Sequence, residues 1–142
     1  MIQASADHVP SSLQAEALTL LLAAKVAYQL QLREVTFLTD NLTLVKAATS
    51  KSILEQQVPW EIRDHLASFL QNSAQLHAAI FHVKRDLNGV ANNCAHQALE
   101  IGASEPIFRC NCSAHRNSLC PVYVALQSLN ASGCVLHSVY CA

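Results

Sequence analysis

The 142-residue sequence carries little charge and no excess of either sign: charged residues are 13% of the chain, the formal net charge is −1 and the isoelectric point is near 6.6. A global basic field is thereby excluded, so any affinity for nucleic acid has to come from a local group of cations. Nor does any stretch approach the roughly 20 apolar residues of a membrane span. The longest apolar run, ALTLLLAA from Ala17, stops at Lys25 and lies too far inside the chain to resemble a signal peptide. No internal repeat and no low-complexity tract is present. What remains is a chain that is 51% hydrophobic, of a length that suits one domain with a real core. An intracellular protein, cytoplasmic or nuclear and without a membrane role, is the expectation.

Five of the six cysteines (Cys110, Cys112, Cys120, Cys134 and Cys141) lie in the last 33 residues. Without a secretory signal they read as reduced thiols rather than a disulfide framework. Cys110, Cys112, His115 and Cys120 are zinc ligands in kind. Their spacing, C-x-C-x2-H-x4-C, departs from the C-x2-C-x4-H-x4-C knuckle, so neither stoichiometric zinc nor an obligatory disulfide is expected.

Ser11 and Gln14 have capping-box spacing, and Leu18, Leu21, Leu22, Val26 and Leu30 follow at helical intervals, predicting a helix over about 12–32. VTFLT at 35–39 is short, β-branched and apolar, suits a buried parallel strand, and ends in Asp40-Asn41. A helix over about 41–49 follows. Pro59, Ile62, Leu66, Phe69 and Leu70 mark another over 59–72, with Trp60 expected in the core or covering it rather than stacked on a base. LHAAIFHV reads as a second buried strand, KRDLNG as a turn, and the segment after it as a further helix. Strands separated by helices need crossovers and so pair in parallel. Two strands are too little sheet to stand alone, and something must cover their edges. Beyond Gly102 the composition changes, which divides the chain into residues 1–104 and a Cys-rich extension, 105–142. There PVYVALQSL reads as a helix and CVLHSVYC as a strand, expected to pack on or beside the sheet.

Ligands gather at the carboxyl ends of parallel strands, where Asp40 stands. Glu16, early in the preceding helix, and the turn that brings Asp86 and Asn92 belong near the same edge. Converging carboxylates hold divalent cations through hard oxygen ligands. The alternative is that Asp40 caps the following helix and Glu16 complements a helix N-terminus.

AEALTLLLAAKVAYQLQLREVTFLTDN, followed at a distance by HVKRDLNGVANNCAHQAL, resembles the plant reverse-transcriptase-like branch of the type 1 ribonuclease H family. The likeness spans about residues 12–101 and rests on several motifs in order: an Ala-Glu-Ala helix, a strand ending in Asp, a strand ending in HV, an Arg-acidic-x-Asn turn and an Ala-Asp-x-Leu-Ala helix. It implies an α/β fold with a mixed five-stranded sheet flanked by helices. It further implies cleavage of the RNA strand of RNA–DNA hybrids by two magnesium ions held by four carboxylates. Glu16 matches the helix glutamate and Asp40 the strand-end aspartate, both magnesium ligands. Asn88 matches the turn asparagine, and Asn92 stands where the family has its last aspartate. The opening-strand aspartate has no counterpart, because the chain begins about where the family's third strand ends.

The resemblance therefore leads us to expect an incomplete ribonuclease H-like fold, a parallel strand pair with flanking helices and a Cys-rich C-terminal segment. Glu16, Asp40 and Asn92 take the catalytic positions, with catalysis impaired or lost. Lys46, Lys51, Lys84, Arg85 and Asn88 are the candidate contacts to a hybrid or other nucleic acid. The rival expectation is a protein-interaction or structural remnant whose exposed sheet edge pairs with a partner or with the tail.

Overall fold

In a computed structural model that describes residues 1–50, 58–100, 107–110, 120–128 and 134–141, the elements run β1 (Ile2–Ala6), α1 (Ser12–Gln29), β2 (Glu34–Thr39), α2 (Leu42–Thr49), α3 (Arg63–Ser73), β3 (His77–His82), α4 (Gly89–Glu100), β4 (Ile107–Cys110), α5 (Pro121–Ser128) and β5 (Cys134–Cys141). Short 3-10 turns at Trp60–Ile62 and Arg85–Asn88 precede α3 and α4. The chain is α/β. It divides into two compact units, residues 9–88 and residues 1–8 with 89–142.

The unit 9–88 holds the parallel pair. Strands β2 and β3 lie in register from Glu34 opposite His77 to Thr39 opposite His82. On one face of the pair α1 contributes Ala17, Leu20, Leu21 and Ala24, α2 contributes Leu44 and Ala47, and Ile62, Leu66 and Phe69 come from α3 and the turn before it. Phe37 of β2 meets Phe69 edge to face, with ring centroids 5.2 Å apart. Leu44, Ile62 and Leu66 are essentially sealed from solvent, each contributing about 2 kcal/mol by burial.

The opposite face is open. Leu38 and Phe81, cross-strand partners, are 59% and 56% exposed. β2 is therefore buried on one face only, through Phe37 and Thr39, and in β3 only Ile80 is even half-buried, because α1 and α3 share a single side of the sheet. Trp60 is likewise exposed rather than packed in the core.

α1 starts as expected, with Ser11 Oγ accepting from the Gln14 N–H at 3.2 Å. Gln14 turns its side chain toward His65 Nε2, at 3.4 Å, so only half of a capping box forms. The helix stops at Gln29 rather than near 32. Leu32 N–H reaches back to Ala27 O and Gln31 N–H to Tyr28 O, the two bonds of a Schellman ending, with Gln31 at φ 53.

The other unit contains a three-stranded sheet, ordered β1–β5–β4, in which β5 is antiparallel to β1 and parallel to β4. The expected tail strand thus exists, and its hydrogen-bonded neighbours are β1 and β4, not β2 or β3. Neither of those neighbours was legible in the sequence. β1 reads as a polar start because its inward residue is Gln3, buried by partnering: its amide donates to Cys94 O at 3.3 Å and Gln97 Oε1 at 3.0 Å and accepts from Ser138 Oγ. Ser5 Oγ bonds His137 Nε2 at 2.5 Å beside it. The boundary expected at 104/105 lies outside the described residues, as do Lys51, Cys112 and His115.

Ile62→Ala should lower the unfolding free energy by about 2–5 kcal/mol in urea melts, as for other fully buried aliphatic truncations. Gln31→Gly, which relieves a left-handed backbone on a residue with a Cβ, should raise it by up to about 1 kcal/mol. Removing residues 105–142 strips β1 of its β5 partner, and the thermal midpoint should fall or the chain aggregate; a soluble truncation with an unchanged midpoint would contradict the β1–β5 pairing.

Candidate functional site

α1 runs antiparallel to β2, so the first turns of the helix lie at the carboxyl end of the strand. Glu16 and Asp40 meet there as a result. The link between them is Asn41, which caps α2: its side-chain oxygen accepts from the N–H groups of Thr43 and Leu44 at 3.0 and 3.2 Å, and its side chain also hydrogen-bonds the Glu16 carboxylate. Asn41, and not Asp40, is the capping residue. One position later than expected, the cap leaves Asp40 unspent on the helix.

Asp40 Oδ1 accepts instead from Asn88 Nδ2 at 3.1 Å. That bond ties the turn after β3 to the end of β2, helped by Val83 N–H donating to Thr39 O at 2.9 Å. The turn also brings Arg85 close enough to act electrostatically on Glu16. Two carboxylates, two amides and a guanidinium are thus assembled at one end of the parallel pair.

The Glu16 carboxyl is held above its ordinary value of 4.5. Burial is the main cause and the Asp40 charge adds to it, while the Asn41 hydrogen bond and Arg85 oppose the rise. Its Oε2 is buried and has no hydrogen-bond partner. A buried carboxylate oxygen without a donor, beside a second carboxylate, fits one hard divalent cation. Among the described residues no group of three or more His, Cys, Asp and Glu side chains gathers closely enough to hold a metal.

Of the candidate contact residues, Lys84 and Arg85 are exposed on the turn that carries Asn88, and Lys46 is exposed on α2 one turn beyond its cap. Asn92 is half-buried in α4 and belongs to the other compact unit. The zinc-like constellation has Cys120 buried in front of α5, while of Cys110 only the backbone is described. No helix among the described residues is long and apolar enough to cross a membrane.

The family model described as reverse transcriptase-like, the ribonuclease H-like domain family, matches residues 1–98. The chain belongs to that family. Its parallel pair with flanking helices is consistent with a ribonuclease H-like fold. The match takes in the strand Ile2–Ala6 as well as the motifs from Glu16 to Asn92. No curated protein and no solved structure was found to match the chain.

Ionising Glu16 costs more in the folded chain than in the unfolded one. The penalty is absent below the ordinary value and grows as pH rises through it. In chelator-containing buffer Glu16→Gln should therefore be more stable than the native chain near neutral pH, with the difference closing at about pH 4 and below. Equal midpoints at both pH values would show that the carboxyl is not strained. Asn41→Ala should cost about 1 kcal/mol at neutral pH through the lost cap.

Proposed function

We propose that this is a nucleic-acid-binding ribonuclease H-like domain, descended from an RNA–DNA hybrid ribonuclease and impaired in catalysis. The observation that carries the reading is the closed group at the end of β2, where Asp40 is held by Asn88 on a turn that also presents Lys84 and Arg85. A nucleic-acid backbone drawn to those cations and to Lys46 comes to rest at the Glu16–Asp40 carboxylates. Phosphate contacts of this kind give affinity without sequence preference.

A magnesium ion would be held by Glu16 and Asp40, and when bound it supplies Lewis acidity toward a phosphodiester and acidifies a water. Asp40 keeps its orientation through Asn88, and Glu16 through Asn41. Asn92 stands at the position of the family's last aspartate with a neutral amide, which brings an oxygen but no charge. Two carboxylates in place of four leave the positive charge of a paired-metal centre poorly offset. The impairment follows from that deficit.

A second reading, a protein-interaction or structural role, is favoured by the open face of the β2–β3 pair, where Leu38 and Phe81 lie side by side in solvent. Its partner would bind largely independently of salt.

Titration of a labelled RNA–DNA hybrid at increasing salt distinguishes the two. Affinity should fall with salt and weaken several-fold in a Lys84→Ala, Arg85→Ala double variant. Binding that is absent or indifferent to salt favours the second reading. Neither the native chain nor Asn92→Asp should cleave the hybrid in magnesium or manganese, since one restored charge leaves the set incomplete. Cleavage by the native chain that vanishes in Asp40→Asn would overturn the proposed impairment.

A further inference from the structure

Trp60 is the chain's one tryptophan, and the residue is 82% exposed. The exposure does not come from a loose turn. Val58 before it and Ile62 after it are 3% and 0% exposed, Ile62 N–H donates to Pro59 O at 3.2 Å, and Arg63 Nε donates to Val58 O at 3.0 Å. The backbone is anchored on both sides and the indole is held outward from it. The largest flat apolar side chain in the protein is thus presented to solvent by a fixed support.

Its place in the fold gives the ring a use. α3 leads down to β3, whose first residue bonds Arg33 O at the beginning of β2. The other end of α3, with the Trp60 turn, therefore lies at the carboxyl end of the strands, where His65 of α3 meets Gln14 of α1. Glu16, Asp40 and Asn88 lie at that same end. Glu61 and Asp64 follow Trp60 in the first turns of the 3-10 turn and of α3, and their charge disfavours a phosphate at this corner. What this corner offers a nucleic acid is an aromatic face for a base.

We propose that Trp60 is a stacking platform for an unpaired base, so that the preferred ligand of the domain is a duplex with a single-stranded extension. The inference rests on the nucleic-acid reading above and specifies its substrate class. Bases inside a duplex already have both faces covered by their neighbours; an unpaired base has a face to offer. Stacking on an aromatic ring is tolerant of sequence and strengthens binding on the order of tenfold per base.

Because Trp60 is the sole tryptophan, its fluorescence reports the contact directly. Two labelled hybrids, one blunt and one carrying a single-stranded extension, are titrated by anisotropy while Trp60 emission is recorded. The extended hybrid should bind on the order of tenfold more tightly than the blunt one and quench Trp60 to saturation. Trp60→Ala should lose that advantage and bind both equally, and Trp60→Phe should keep most of it. Circular dichroism checks that the variants are folded, as expected for a solvent-exposed position.

If both hybrids bind equally and emission is unchanged, the stacking role is wrong and the nucleic-acid reading stands. If neither hybrid binds, both fall. Absence of binding together with self-association that Trp60→Ala abolishes in sedimentation would assign the ring to a protein contact instead.

Discussion

The arrangement of the unit 9–88 depends on the parallel pairing of β2 with β3. Parallel neighbours cannot be joined by a tight turn, so the chain leaves the end of β2 and returns along α2 and α3 before β3 begins. α1 precedes β2 in the opposite direction. Both long helices therefore start where the strands finish, and residues far apart in sequence (Glu16, Asp40, Trp60 and Asn88) share one end. The contacts that keep the helices on the pair are apolar: Phe37 on Phe69, with Ile62, Leu66 and Leu44 sealed around them. Loss of that packing would separate the helices that carry the site residues.

Electrostatics at this end is a balance of close opponents. Glu16 and Asp40 repel one another and burial disfavours the Glu16 charge, while Asn41 and Arg85 counter both. Asn41 has a double role: its oxygen serves the orphan N–H groups of α2 and its side chain also supports Glu16, so helix formation and site geometry are coupled through one residue. The amide of Asn88 does the same for Asp40 from the turn after β3. Amides suit these positions because they position carboxylates without adding charge.

The unit formed by residues 1–8 and 89–142 is built on a different balance. Its sheet joins the two ends of the chain, with Met1 and Tyr140 exchanging backbone hydrogen bonds at 2.7 and 2.8 Å. Between β1 and β5 the buried side chains include Gln3, His137 and Ser138, which remain inside because most of their polar atoms bond one another or α4. Such a layer is held together by geometry more than by hydrophobicity.

Much of the first unit was legible in the sequence. Helical spacing of Leu18, Leu21, Ile62 and Leu66, the β-branched run before Asp40, and the cap chemistry at Ser11 act over a few residues, and local rules describe them. The family followed from motifs in order. That position 92 carries an amide, where the resemblance implies an aspartate, is a matter of residue identity alone. Tertiary structure decided the rest. Whether a strand is covered on one face or two depends on which side its helices take, so Leu38 and Phe81 face solvent in strands whose composition reads as buried. Trp60 is apolar enough for the core, but the anchors on either side of it turn it outward. β1 was missed because Gln3 is buried by hydrogen bonds to residues more than 90 positions away, and no local pattern records a partner at that distance. The displacement of Glu16 from its ordinary acidity arises in the same way, from burial and from a neighbour, Asp40, that only the fold supplies.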